Sequence, residues 1–199
     1  NKRINAINNA IKNKADVLIL DDGFQDFSIN KNLSIVCFNE KQWIGNGLMI
    51  PSGPLRERLT ALKRANCVII NGKKNTDNEK RILSHNKEIK IFYTKYKAQN
   101  IDEFRNKKVI AFAGIGNPDS FFDLLKNNNI DILEKISFPD HYNYSDKELE
   151  NLINKAKENN TILLTTEKDY LRIGENYKKN INFLKIVIEI EKRNQFIEE

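Results

Sequence analysis

Asp21 and Asp22 stand side by side at the end of the apolar run 17–20 and are followed by Gly23, Phe24 and Gln25. Adjacent carboxylates suit a hard divalent cation, because Mg²⁺ takes one or two carboxylates and completes its shell with water and phosphate oxygens. Two like charges about 4 Å apart oppose each other by roughly 4 kcal/mol at an effective dielectric near 20, so a buried pair needs compensation. The structural alternative is that one Asp caps a turn at Gly23 while the other faces water. His141, in the segment FPDHYNYSD, carries an imidazole suited to proton transfer or to supporting a carboxylate; an exposed loop ring is its alternative. Lys168 and Asp169, in LLTTEKD, orient a ligand from a strand end or cap the next element. The segment AGIGNP at 113–118 has the amides of a phosphate turn. It lacks the Lys-Ser/Thr of a Walker A loop, so a tight strand-to-helix turn is its expected role. His85 lies in an amphipathic helix and receives no function. Trp43, the sole Trp, is either an acyl-chain contact or core.

The elements that must position these groups follow an alternation of short β-branched runs with amphipathic ones, which predicts βα units and mainly parallel sheets. The spacing predicts a helix to about residue 14, then strands over 16–20 and 33–38. A helix over 55–64, a strand over 67–70, a helix over 77–86 and a strand over 89–93 follow. After a polar stretch at 95–106 the pattern restarts with a strand and a glycine turn. Asn117 then caps a helix with Pro118 at its first position. A strand over 131–138 precedes a capping box, Ser145 to Glu148, that opens a helix to about 159. Strands over 161–165 and 183–190 complete the chain. The expected architecture is therefore two α/β lobes, residues 1–97 and 98–199.

Composition limits the partners. With 199 residues, 40% hydrophobic, the chain can build one sizeable core or two small ones. A net charge of +6 permits an anionic partner. Its lysine pairs at 73–74, 107–108 and 178–179 are spread among carboxylates, without the clustered basic face of a nucleic-acid binder. Cys37 and Cys67 sit in apolar runs with no CxxC spacing, which suggests buried thiols in a reducing compartment. No apolar stretch approaches a membrane span. The first residue is Asn within a helical pattern, so a fragment of a longer chain is expected.

Five segments, DDGFQ, GNG with PSGPLRE, AGIGNP, FPDHYNYSD and LLTTEKD, occur in this order between about residues 15 and 172. Together they resemble the tetraacyldisaccharide 4'-kinase family, the lipid A 4'-kinases of Gram-negative bacteria. The resemblance implies a P-loop NTPase-like first lobe, truncated at its N-terminus, and a second α/β lobe closing over an active-site cleft. It implies transfer of the γ-phosphate of ATP to the 4'-hydroxyl of tetraacyldisaccharide 1-phosphate, giving lipid IVA. By the same resemblance Asp21 and Asp22 hold Mg²⁺, with Asp22 also catalytic, and Gln25 and Lys168 lie at the nucleotide. Gly45, Asn46, Gly47, Arg56 and Glu57 form the acceptor segment, and His141 supports the catalytic carboxylate or the acceptor hydroxyl. Arg58 stands where the family usually has proline, which relaxes that loop's φ restraint. The family's Walker A loop, catalytic aspartate and membrane-associating helix belong upstream of Asn1, so the fragment itself is expected to be inactive. The implied partners are an anionic acylated glucosamine disaccharide and, through that upstream helix, the cytoplasmic face of the inner membrane. No nucleic acid is expected, and a monomer is. Rival readings are another P-loop kinase and a non-catalytic anion- or lipid-binding module.

Overall fold

The computed structural model describes residues 2–198. The chain forms two compact units, one of Asn1–Lys95 with Ile190–Glu199 and one of Tyr96–Glu189. The sequence reading divides the lobes at 97/98. In the structure that point lies inside a strand, and residues 190–199 return to the first unit.

The first unit contains α1 (Lys2–Lys12), β1 (Ile35–Asn39), β2 (Cys67–Asn71), α2 (Thr76–Leu83) and β3 (Lys90–Ala98), whose last residues pass into the second unit. β1 pairs with β2 and β2 with β3, all parallel. Val68, Ile70, Ile82, Ile89 and Tyr93 bury together with Leu62, and Phe24, Phe38 and Trp43 pack around them. Trp43 lies with its ring centroid 4.8 Å from that of Phe38, so it belongs to the margin of this core. Asn75 caps α2 by accepting from the backbone N–H groups of Asp77 and Asn78.

Two expected elements of this unit are not found. Residues 16–20 form no strand. The run lies outside the sheet, with Val17 and Ile19 76% and 90% exposed. A strand exists only through a neighbour's ladder, and among the described residues this run has none. The expected helix over 55–64 is instead a 3₁₀ segment, Leu59–Arg64, with the preceding residues drawn into an irregular loop.

The second unit contains β4 (Lys108–Ala113), α3 (Pro118–Asn127), β5 (Asp131–Ser137), α4 (Asp146–Glu158), β6 (Ile162–Thr166), α5 (Glu167–Tyr170), α6 (Glu175–Lys178) and β7 (Asn182–Leu184). Its sheet runs β5-β4-β6-β7, and every pairing in it is parallel. The alternation of β4 separates two cores. Val109, Ala111 and Ala113 pack with Phe121, Phe122 and Leu125 of α3, whereas Ile110 and Phe112 pack with Leu149, Leu152 and Ile153 of α4. The expected single strand over 183–190 divides: β7 ends at Leu184, and β8 (Ile186–Ile190) joins β3 in the first sheet. α7 (Arg193–Ile197) follows, its Phe196 ring edge-on to Phe92 at 5.0 Å. Among the described residues no helix is long and apolar enough to cross a membrane.

Candidate active site

The carboxylate pair lies in a loop of consecutive turns, not at the tip of a formed strand. Asp22 occupies the left-handed region at φ 54°, where Asp and Asn are favoured over most side chains. Two arginines compensate the charge here. Arg56 donates to the Asp22 carboxylate, both side chains being about half exposed. Arg3 reaches the backbone carbonyls of Asp21 and Asp22 at 3.4 and 3.1 Å and pairs with Asp26 at 3.3 Å. The hydroxyl and amide of Ser28, with Arg3 beyond them, hold the Asp26 carboxyl below the usual carboxylate range. Arg3, Asp22, Gln25, Asp26 and Arg56 line a cavity of about 460 Å³, a polar hollow with cations and carboxylates on the same wall.

The segment 45–57 is held mostly by itself. Gly45 and Gly47 have φ of 57° and 77°. The amide of Asn46 is used at both ends, Nδ2 donating to the Ser52 carbonyl at 2.7 Å and Oδ1 accepting from Leu48 N at 3.1 Å. Glu57 accepts both ends of a fork from Arg64, at 2.9 and 2.8 Å. The same guanidinium lies 4.7 Å from the ring centres of Phe24 and Phe27. Arg64 thus ties the segment bearing Glu57 to the loop bearing Asp21 and Asp22. Of this segment's expected acceptor-binding residues, Arg56 alone lines the cavity.

In the second unit the carboxyl ends of β4, β5 and β6 lie at one edge, as parallel strands require, and their loops interlock there. Phe138 N donates to Ala113 O at 2.9 Å and His141 N to Gly114 O at 3.1 Å. His141 takes φ of 60° to make that turn. Asp169, fully buried, accepts from Gly114 N at 2.9 Å and from the Thr166 hydroxyl at 2.8 Å through Oδ2. Its other oxygen lies 3.7 Å from Arg172 Nη1. A Cβ on Gly114 would come within 2.8 Å of the Tyr144 hydroxyl and 3.3 Å of Asp169 Oδ1, so only glycine fits between them. Burial, then the charge of Asp169, pushes the Tyr144 hydroxyl far above the ordinary phenol range. Arg172 Nη2 meets His141 Nδ1 at 2.7 Å, and Lys168 Nζ reaches Asp140 Oδ1 at 3.4 Å. Burial alone would raise the Asp140 pKa. The hydrogen bond and charge of Lys168, with the backbone N–H of His141, outweigh it and hold the carboxyl below its usual range.

Behind His141 the loop is fastened by Glu148. Its Oε1 accepts from the Tyr142 hydroxyl at 2.6 Å and its Oε2 from Ser145 Oγ and N at 2.6 and 2.8 Å, completing the expected capping box of α4. These donors, the Ser145 hydroxyl first, lower the Glu148 pKa from 4.5. A carboxyl whose folded pKa is depressed stabilises the fold above its unfolded pKa and loses that contribution as pH falls through the folded value. The melting temperature of the wild type is therefore expected to fall more steeply than that of Glu148→Gln as pH is lowered from about 5, the two curves converging in acid. Thermal melts across that range check it, and parallel curves would contradict it.

A family model described as tetraacyldisaccharide-1-P 4'-kinase matches residues 1–199. The chain belongs to this family. It is 44% identical over 197 residues to the tetraacyldisaccharide 4'-kinase of Pelagibacter ubique strain HTCC1062, covering 95% of this chain and 61% of that protein. To the enzyme of the same name from Rickettsia bellii it is 40% identical, covering 81% of this chain and 50% of that one. The crystal structure of "apo" form LpxK from Aquifex aeolicus in complex with ATP superposes with a TM-score of 0.63 at 28% identity, covering 90% of this chain and 55% of that one. The chain thus spans about half to three fifths of the length of these tetraacyldisaccharide 4'-kinases.

Of the residues expected from the resemblance to this kinase family, Asp22, Gln25 and Arg56 line one cavity, with Asp21 adjoining through its carbonyl. His141 and Lys168 share the edge of the second unit's sheet. Sequence reasoning missed Arg3, Asp140 and Arg172. It named Asp169 without foreseeing its burial, for which Thr166-x-x-Asp169, a capping pattern, was the available signal.

Proposed function

We propose that this chain serves the transfer of the γ-phosphate of ATP to the 4'-hydroxyl of tetraacyldisaccharide 1-phosphate, giving lipid IVA. The match of the whole chain to the kinase family model carries the reading. The ATP complex of the Aquifex aeolicus relative supports the nucleotide. Phosphoryl transfer asks a protein for positioning and for neutralisation of charge more than for covalent chemistry.

Within that reading Asp21 and Asp22 hold Mg²⁺. Among the described residues no group of three or more His, Cys, Asp or Glu side chains is placed to cage an ion. Two hard carboxylates nevertheless fit Mg²⁺, which draws the rest of its shell from water and phosphate. When bound, the ion neutralises charge on the phosphates. Arg56 and Arg3, on the same cavity wall, add cationic charge toward a phosphate, and Gln25 offers an amide beside them. His141 contributes a hydrogen bond to the acceptor hydroxyl or to the carboxylate that activates it, and Lys168, beside Asp140, adds a further cation toward the nucleotide. In this reading the acceptor is an anionic glycolipid at the cytoplasmic face of the inner membrane, a partner that a net charge of +6 suits.

Incubation with γ-labelled ATP, Mg²⁺ and tetraacyldisaccharide 1-phosphate tests this in the full-length protein that carries the chain. Label appearing in lipid IVA is the expected result. Label passing to other acceptors but not to this one would replace the reading by another kinase.

A further inference from the structure

We infer that Arg172 is a positioning residue for His141, fixing which ring nitrogen carries the proton and therefore what the imidazole can do. This rests on the reading of His141 as part of the phosphoryl-transfer site. A guanidinium carries N–H donors and no acceptor. At 2.7 Å from Arg172 Nη2, the His141 Nδ1 must present its lone pair. A protonated ring would set N–H against N–H at that distance, so the contact belongs to the neutral ring with its proton on Nε2. Nε2 lies 3.8 Å from Asp140 Oδ2, beyond hydrogen-bond reach, and the His141 side chain is 68% exposed. The Nε2–H is thus held out as a donor with no acceptor in bonding distance among the described residues. It suits an oxygen of a carboxylate, a hydroxyl or a phosphate.

The arginine is itself braced. Its backbone N–H donates to Asp169 O at 2.9 Å, its Nη1 lies 3.7 Å from the Asp169 carboxylate, and its side chain is 24% exposed. Asp169 is in turn pinned by Gly114 N and Thr166. Asp169 Oδ1 and Arg172 Nη1 are buried without a hydrogen-bond partner, so the pair faces each other as charges while the second guanidinium nitrogen is free to meet His141. The backbone of His141 is anchored to the same strand end through Gly114 O. Ring and guanidinium are therefore held from one platform, which favours a single orientation over a swinging side chain.

The chain has two histidines, so two-bond ¹⁵N–¹H correlation spectra of the labelled full-length protein at mildly alkaline pH include these two ring systems, and His85→Gln and His141→Gln assign them. The expected spectrum of His141 has Nδ1 at a pyridine-type shift and Nε2 at a pyrrole-type shift. In Arg172→Ala the two nitrogens move toward each other as both tautomers become populated, while the His85 signals stay. A wild-type ring with pyrrole-type Nδ1 or averaged shifts would overturn the inference, as would a folded Arg172→Ala with unmoved His141 shifts. If that variant fails to fold, the wild-type spectrum still decides. The readout is the ring and not turnover, so its failure is separate from a failure to phosphorylate the glycolipid.

Discussion

Asp22→Asn is expected to lower the rate of phosphoryl transfer by about 10²–10³-fold, the size of effect seen when a single group that stabilises transition-state charge is removed. The unfolding free energy is expected to change by less than about 1 kcal/mol, because the ion pair it loses with Arg56 is half exposed and such pairs contribute little. Asn is the informative replacement. It keeps the volume and tolerates the left-handed backbone at φ 54°, whereas Ala would add strain to the loss of charge. Steady-state rates with ATP and Mg²⁺ in the full-length protein, set beside denaturant unfolding, separate the two effects. A rate within a few-fold of the wild type would remove Asp22 from the metal site.

The largest stability effect is expected at Asp169. Removing one member of a buried, hydrogen-bonded charge pair leaves the other uncompensated and destabilises by about 3–5 kcal/mol. Asp169→Ala strips acceptors from Gly114 N and the Thr166 hydroxyl and leaves the Arg172 guanidinium, three quarters buried, without its counterion. For a chain of this length that corresponds to a drop in melting temperature of roughly 10 °C. Asp169→Asn keeps an acceptor oxygen for Gly114 N and the Thr166 hydroxyl but, like Ala, leaves Arg172 without its counterion, so it should recover only part of the loss. Calorimetry of the two variants checks the order, and equal losses would mean that charge, not hydrogen bonding, carries the effect.

What could be read from the sequence was local. Asn117 with Pro118, and Ser145 with Glu148, lie within a turn of the helices they open, and both caps form as expected. A strand is also expected to open the second lobe; β4 is that strand, and its continuous apolar run is buried on both faces. The reading failed where an element depends on a distant partner. Residues 16–20 are apolar and β-branched, yet no neighbour offers a ladder, so they do not become a strand. The run 183–190 looks continuous, but Lys185 separates a part that pairs with β6 from a part that pairs with β3, and composition cannot tell two sheets apart. The site divides in the same way. Carboxylates and an imidazole announce themselves by type, whereas Arg172 matters through a ring 31 positions away. Nothing in the one-dimensional pattern marks that contact. The motif DDGFQ suggested a cation between two acids, and the loop shows arginines at both.

The first unit is discontinuous in the chain: it contains residues up to Lys95 and again from Ile190. During synthesis the ribosome releases all of residues 96–189 before it delivers the segment whose Phe196 closes on Phe92 and whose Glu191 bonds to Tyr93. The portion bearing His141 and Asp169 is thus available to fold while the portion bearing Asp22 still waits for residues 190–199, and a nascent chain stalled between those points would hold a folded second unit beside an incomplete first.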